Sequence, residues 1–117
     1  MRIALAITLM LSIAAPVLAQ DEQSRTANDA KEFCQKAGPV GAAIADERDA
    51  NPPVTLEEAL NHLNKRYNTD RRHDSQRLVL GHLIIERIYA DPKMNDELAA
   101  KFAIQTCVEH YLEIKGE

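Results

Sequence analysis

An all-α bundle of four to five short helices, with one disulfide joining its first and last helices, is the fold this sequence predicts. Three observations predict it. From about Thr26 onward, apolar and small residues recur at three- and four-residue spacing, the period of one helical face. No segment alternates as a strand should, and glycine-bearing hairpin signals are absent. The two cysteines, Cys34 and Cys107, lie near opposite ends of the chain that follows its apolar N-terminal segment. With 117 residues, 45% hydrophobic and 27% charged, there is material for one domain and too much apolar content for disorder.

Residues 1–19 read as a secretory signal peptide. Arg2 supplies the positive start, Ile3 to about Ala15 is apolar apart from Thr8 and Ser12, and Val17 and Ala19 occupy the −3 and −1 positions of a cleavage point before Gln20. The apolar run is shorter than the roughly 20 residues a spanning helix needs, so no stable membrane insertion is expected after cleavage. Residues 20–117 then form a single helical domain in the periplasm or outside the cell. Cleavage removes Arg2 alone among the charged side chains and moves the formal net charge from −4 to −5. An oxidising compartment would pair Cys34 with Cys107, the one pairing available. In the chain-entropy model a loop of this length contributes on the order of 4 kcal/mol.

The first helical region carries Ala30, Phe33, Cys34, Ala37, Gly41 and Ile44 on one face. Gly38-Pro39 interrupts it, giving either two helices or one kinked helix that ends near Asp49. Asn51-Pro52-Pro53 breaks the chain, and Thr55 with Glu58 forms a capping box for a helix burying Leu56, Ala59, Leu60, Leu63 and Tyr67. Its narrow apolar stripe and charged back suit a helix on the outside of a bundle. Asn68 to His73 is polar and reads as a loop. Asp74 or Ser75 then caps a central helix with apolar residues over more than half its circumference, from Leu78 to Tyr89. Ala90-Asp91-Pro92 ends it. Either Asn95, or Asp91 with Pro92 at the first helical position, starts a last helix through Cys107 to Ile114, with Asp96 and Glu97 at the positive end of its dipole. Without Trp and with few aromatics, the core rests on aliphatics and the disulfide.

No residue set points to catalysis, a metal or a cofactor. His62, His73, His82 and His110 include no pair at the four-residue spacing of a helical zinc site. His73-Asp74-Ser75 has the residue types of a hydrolase triad, but neighbours in sequence cannot converge on one reacting atom. The acidic pairs Asp46-Glu47 and Glu57-Glu58 point different ways on a helix, and phosphate-binding glycine loops are absent. Two distant cysteines build neither a zinc ribbon nor a redox Cys-x-x-Cys. Arg48-Asp49, with Arg87 and Tyr89, is expected to form a partly buried structural network, because buried charges need partners.

Charge distribution is the most informative feature. Lys65, Arg66, Arg71, Arg72 and Arg77 stand against Asp70 and Asp74, a local +3 in a mature chain of −5, so the remainder is −8. Together with Tyr67 this basic segment is the candidate partner-binding surface. Arginine forks bind carboxylate and phosphate bidentately, which suits an acidic protein partner or a phosphate-bearing envelope component; an acidic exported chain is a poor match for nucleic acid.

Phe33-Cys34, Ile44-Ala45, Arg48-Asp49, the Tyr89-Ala90-Asp91-Pro92 turn and Cys107 together resemble small, exported, two-cysteine helical proteobacterial proteins of unknown function. The layout of signal peptide, short helices and one end-to-end disulfide is similar to that of periplasmic immunity proteins that neutralise type VI secretion amidase effectors. What that similarity implies is a non-catalytic inhibitor acting on an envelope-targeting enzyme. Acid-stress periplasmic chaperones share the same size, helicity and single disulfide, and imply instead a stress or chaperone-like role.

Overall fold

A computed structural model describes residues 24–67 and 70–115. The expected signal peptide, residues 1–19, lies outside the described residues. Every regular element among those described is a helix: α1 over residues 24–34, α2 Ala37–Asp49, α3 Leu56–Arg66, α4 Arg72–Ala90, α5 Asp96–Glu109 and the single turn α6 Tyr111–Ile114. None is long and apolar enough to cross a membrane.

The interruption expected at Gly38-Pro39 falls earlier, at Gln35-Lys36, where the Gly38 amide donates to the Gln35 carbonyl at 3.2 Å. Gly38 and Pro39 instead open α2. Pro39 is its third residue, where an amide would have no acceptor within the helix, so the missing donor is harmless there.

α2 and α5 run antiparallel at unusually close range, because both present small residues to the seam. A Cβ placed on Gly41 would lie 2.5 Å from the Ala99 carbonyl oxygen and 2.8 Å from the Ala103 Cβ, so only glycine fits. Three residues earlier, Gly38 faces Ile104 and Ala100. The line continues into the Cys34–Cys107 disulfide, whose Cα atoms are 5.7 Å apart. That bond joins α1 to α5. The helix expected to run on to Ile114 is divided at His110, so Cys107 sits in the penultimate helix and α6 follows.

α4 packs against α2, α3, α5 and α6 and buries Leu80, Ile84, Ile85 and Ile88, the last completely. Its apolar stripe is wider than its buried face: Val79 is 70% exposed and Leu83 43%. α4 also starts earlier than expected, at Arg72, with Arg71 as an N-cap that makes no side-chain capping bond. Asp74 is therefore in the first turn, where it complements the helix dipole, and Ser75 follows inside the helix, its amide bonded to the Arg71 carbonyl. Antiparallel to α4, α3 lies on the outside; Gly81 admits Leu63, whose Cδ2 would be 2.6 Å from an added Cβ.

The caps expected at Thr55 and, of the two options for the next helix start, at Asn95 do form. The Thr55 hydroxyl accepts from the Glu58 amide at 3.1 Å, and the Asn95 side chain accepts from the Leu98 amide at 2.9 Å. The return arm of the Thr55 box differs from the usual pattern, since the Glu58 carboxylate accepts from the Thr55 hydroxyl at 3.1 Å and not from its amide.

The bundle is closed at its other end by Arg48, whose side chain is only 8% exposed. Its guanidinium donates to the carbonyls of Ile88 (2.6 Å), Asp91 (2.8 Å) and Met94 (2.8 Å) and forks onto the Asp49 carboxylate at 2.9 Å through Nε and Nη2. One side chain thus satisfies carbonyls at the C-terminus of α4 and along the α4–α5 connection, groups that a helix end leaves without partners. The Tyr89 hydroxyl does the same for the α2–α3 connection, donating to Val54 O at 2.7 Å. The expected polar network forms only in part: Arg48 pairs with Asp49, Tyr89 is tied to the loop and not to the arginine, and Arg87 is exposed and takes no part in it.

Four substitutions, read by urea denaturation, test these contacts. Arg48→Ala removes the donor shared by the carbonyls of Ile88, Asp91 and Met94 and should destabilise by about 2–4 kcal/mol, with Arg48→Lys recovering little because an ammonium cannot reproduce the fork. Gly41→Ala should cost about 1–3 kcal/mol through overpacking against backbone. Gly38→Ala, which meets only the movable tip of Ile104, should be far milder.

Candidate functional site

A groove of ≈ 750 Å³ opens between α3 and the α1–α2 arm. Its floor comes from Leu80, Gly81 and Ile84 of α4, with Cys107 and Ile114 beside them; one wall is Leu63, Arg66 and Tyr67 of α3. The facing wall runs from Asp29, Glu32 and Phe33 on α1 to Lys36, Ala37 and Val40. Charged groups therefore stand at the rim while the lining is predominantly apolar, the usual chemistry of a binding cleft.

The disulfide builds much of this site. Phe33 precedes Cys34 and Tyr111 lies one helical turn past Cys107, so the bond brings their rings to 5.4 Å between centroids at 65°, an edge-to-face pair. Arg77 stacks over Phe33 at 5.9 Å and donates to the carbonyls of Ile114 (2.8 Å) and Lys115 (3.3 Å), capping α6 as Arg48 caps α4. Lys115 in turn lies 5.8 Å over the Tyr111 ring.

Of the six residues proposed from sequence to meet a partner, the fold brings Arg66, Tyr67 and Arg77 to the groove. Lys65 is exposed in the last turn of α3, and Arg71 and Arg72 are exposed at the start of α4, none of them lining it. The Arg77 guanidinium is turned to α6 through Nε and Nη2, and Arg66 is the basic group of the α3 wall. Phe33, Tyr111 and the acidic α1 wall were not anticipated from sequence. The sequence held only a weak signal for the two rings: Phe33 adjoins Cys34 and Tyr111 stands four residues past Cys107, so the expected disulfide brings their stretches of chain together.

The remaining candidates stay apart. His82 bonds Asn64 at 2.8 Å and His110 bonds Glu113 at 3.3 Å, both local surface contacts, and among the described residues no three His, Cys, Asp or Glu side chains are placed to hold a metal. His73 Nδ1 is buried without a hydrogen-bond partner.

At the Arg48 end, two aspartates are shifted in opposite directions. Asp49 is held below its ordinary value of 3.8 by its hydrogen bond to Arg48. Asp46 is raised, first by a hydrogen bond shared with the carboxyl of Asp96 and further by the charges of Asp96 and Asp49. These groups are solvent-facing and structural in character.

Comparison with known proteins finds no family model, no curated protein and no solved structure that matches this chain.

The two shifts predict opposite pH effects, readable by thermal unfolding between pH 2 and pH 7. The contribution of Asp49 is complete above the ordinary carboxylate range and lost as pH falls through it, so Asp49→Asn should flatten the decline of Tm below pH 4. Asp46 binds its proton more tightly when folded, so its contribution is lost as pH rises; Asp46→Asn should raise Tm at pH 7 and leave it unchanged near pH 2.

Proposed function

We propose that this chain is an exported, non-catalytic binding protein of the periplasm or extracellular space, and that it acts as an inhibitor or immunity partner of an envelope-targeting enzyme. The observation that carries this reading is the convergence of Arg66, Tyr67 and Arg77, singled out by charge in the sequence, on one apolar groove. A disulfide closing that groove fits an oxidising compartment, where such bonds form and persist. The partner is an acidic protein. Exposed Lys65, Arg71 and Arg72 beside the groove would steer its approach, while Arg66 and the apolar lining would set how slowly it leaves.

A second reading rests on a separate observation, the exposed Val79 and Leu83 on α4. A stress or chaperone-like protein would use such apolar surface on many unfolded clients, with more of it released under mild acid.

A pull-down from envelope and secreted fractions with the oxidised chain as bait, stoichiometry read by mass spectrometry, separates them. The inhibitor reading predicts one stoichiometric partner. Lys65, Arg71 and Arg72 replaced together by Glu should slow association about tenfold or more at low salt with helicity unchanged, and Arg66→Glu should chiefly speed dissociation. A broad set of clients whose capture grows as dye-accessible apolar surface appears at pH 4 would establish the second reading instead.

A further inference from the structure

We propose that the groove seats one edge of an amphipathic helix of the partner, with basic residues of that helix facing Asp29 and Glu32 and an acidic residue facing Arg66. This rests on the binding-protein reading and specifies its occupant. The walls and floor are helices, whose backbone amides and carbonyls are already paired along their own axes. An extended segment laid between them would bury its own backbone groups without partners, whereas a helix arrives with its own satisfied.

Size sets how the helix sits. A helix about 10–12 Å across occupies roughly 500 Å³ per turn, so a groove of ≈ 750 Å³ is far too small for a helix of several turns and takes the side chains of one edge. Those side chains are apolar anchors at i, i+3 or i+4, and i+7, set against Val40, Leu63, Leu80 and Ile84.

Charge sets what flanks them. Asp29, Glu32 and Lys36 are three and four residues apart and so share the face of the chain that forms one wall, while Arg66 stands on the other. All four are exposed, and among the described residues none is in an ion pair. The rim is therefore net acidic on one side, where Asp29 and Glu32 outnumber Lys36, and basic at Arg66 on the other. A helix with one sign of charge on both flanks would meet repulsion from one wall whichever way it lay.

Fluorescence anisotropy with three 18-residue helical peptides tests this. All carry the same leucine stripe; one has Lys on one flank and Glu on the other, one has Glu on both, one has Lys on both. The oxidised protein purified from an exporting host should bind the mixed peptide best, by about fivefold. Asp29→Lys with Glu32→Lys should move the preference to the all-Glu peptide, and Arg66→Glu should move it to the all-Lys peptide. The mixed peptide can lie in either direction, so this ranking does not depend on its polarity in the groove. Replacing the leucines by alanine, or introducing Val40→Arg at a position 49% exposed, should weaken binding more than about tenfold while the circular dichroism spectrum is unchanged.

An identical ranking in all three proteins, or binding indifferent to the leucines, overturns the proposal. If the envelope pull-down yields a stoichiometric partner and no peptide binds, the helical occupant is wrong and the inhibitor reading stands. If the peptides bind in the order given and the pull-down yields no partner, the inhibitor reading falls and the groove chemistry stands.

Discussion

The seam between α2 and α5 is the constraint on which the other contacts depend. Two helices approach this closely only where at least one contributes no Cβ, and Gly41 against Ala99 and Ala103 meets that condition. Once the pair is in register, Cys34 is brought to Cys107 at one end and Arg48 to the α4–α5 connection at the other. A covalent bond and a buried guanidinium thus hold the two ends of one antiparallel line. Neither could form if the seam slipped by a turn, about 5.4 Å, because disulfide geometry and a forked set of hydrogen bonds both tolerate much less.

Arginine does in this protein what a larger core would do elsewhere. The buried set is small and aliphatic, and its largest fully buried side chain is Ile88. Helix ends in such a bundle leave carbonyls without partners, and Arg48 and Arg77 each reach across to collect them, the first from Ile88 to Met94, the second from Ile114 and Lys115. That use of arginine also explains why a count of basic residues overstates the surface available to a partner. Arg77 belongs to the charge cluster by sequence, but its guanidinium holds α6 in place and supports the Phe33 ring.

The groove is a by-product of the same economy. α3 packs mainly on α4, and the α1–α2 arm is held to α5, so a gap remains between α3 and that arm with α4 beneath it. The disulfide fixes the position of α1 and thereby of the acidic wall. A site of this kind is rigid on one side by covalent attachment and framed on the other by a single outer helix, an arrangement suited to binding with little reorganisation.

Local signals were legible from the residues alone. The helical period, the caps at Thr55 and Asn95, the breaks at Pro52-Pro53 and Asp91-Pro92 and the single possible cysteine pairing all act within a few residues or by elimination, and each appears in the structure. The start of α4 was misplaced because aspartate favours both the cap and the first turn, and only the backbone of Arg71 distinguishes them. What the tertiary structure alone decided are the contacts between residues far apart in the chain. Arg48 reaches carbonyls 40 to 46 residues away, Arg77 reaches α6, and Val79 and Leu83 stay in solvent although their stripe reads as buried. The helical period reports which residues share a face. It carries no information about whether a second helix arrives to cover that face, because that is set by contacts between residues far apart in the chain.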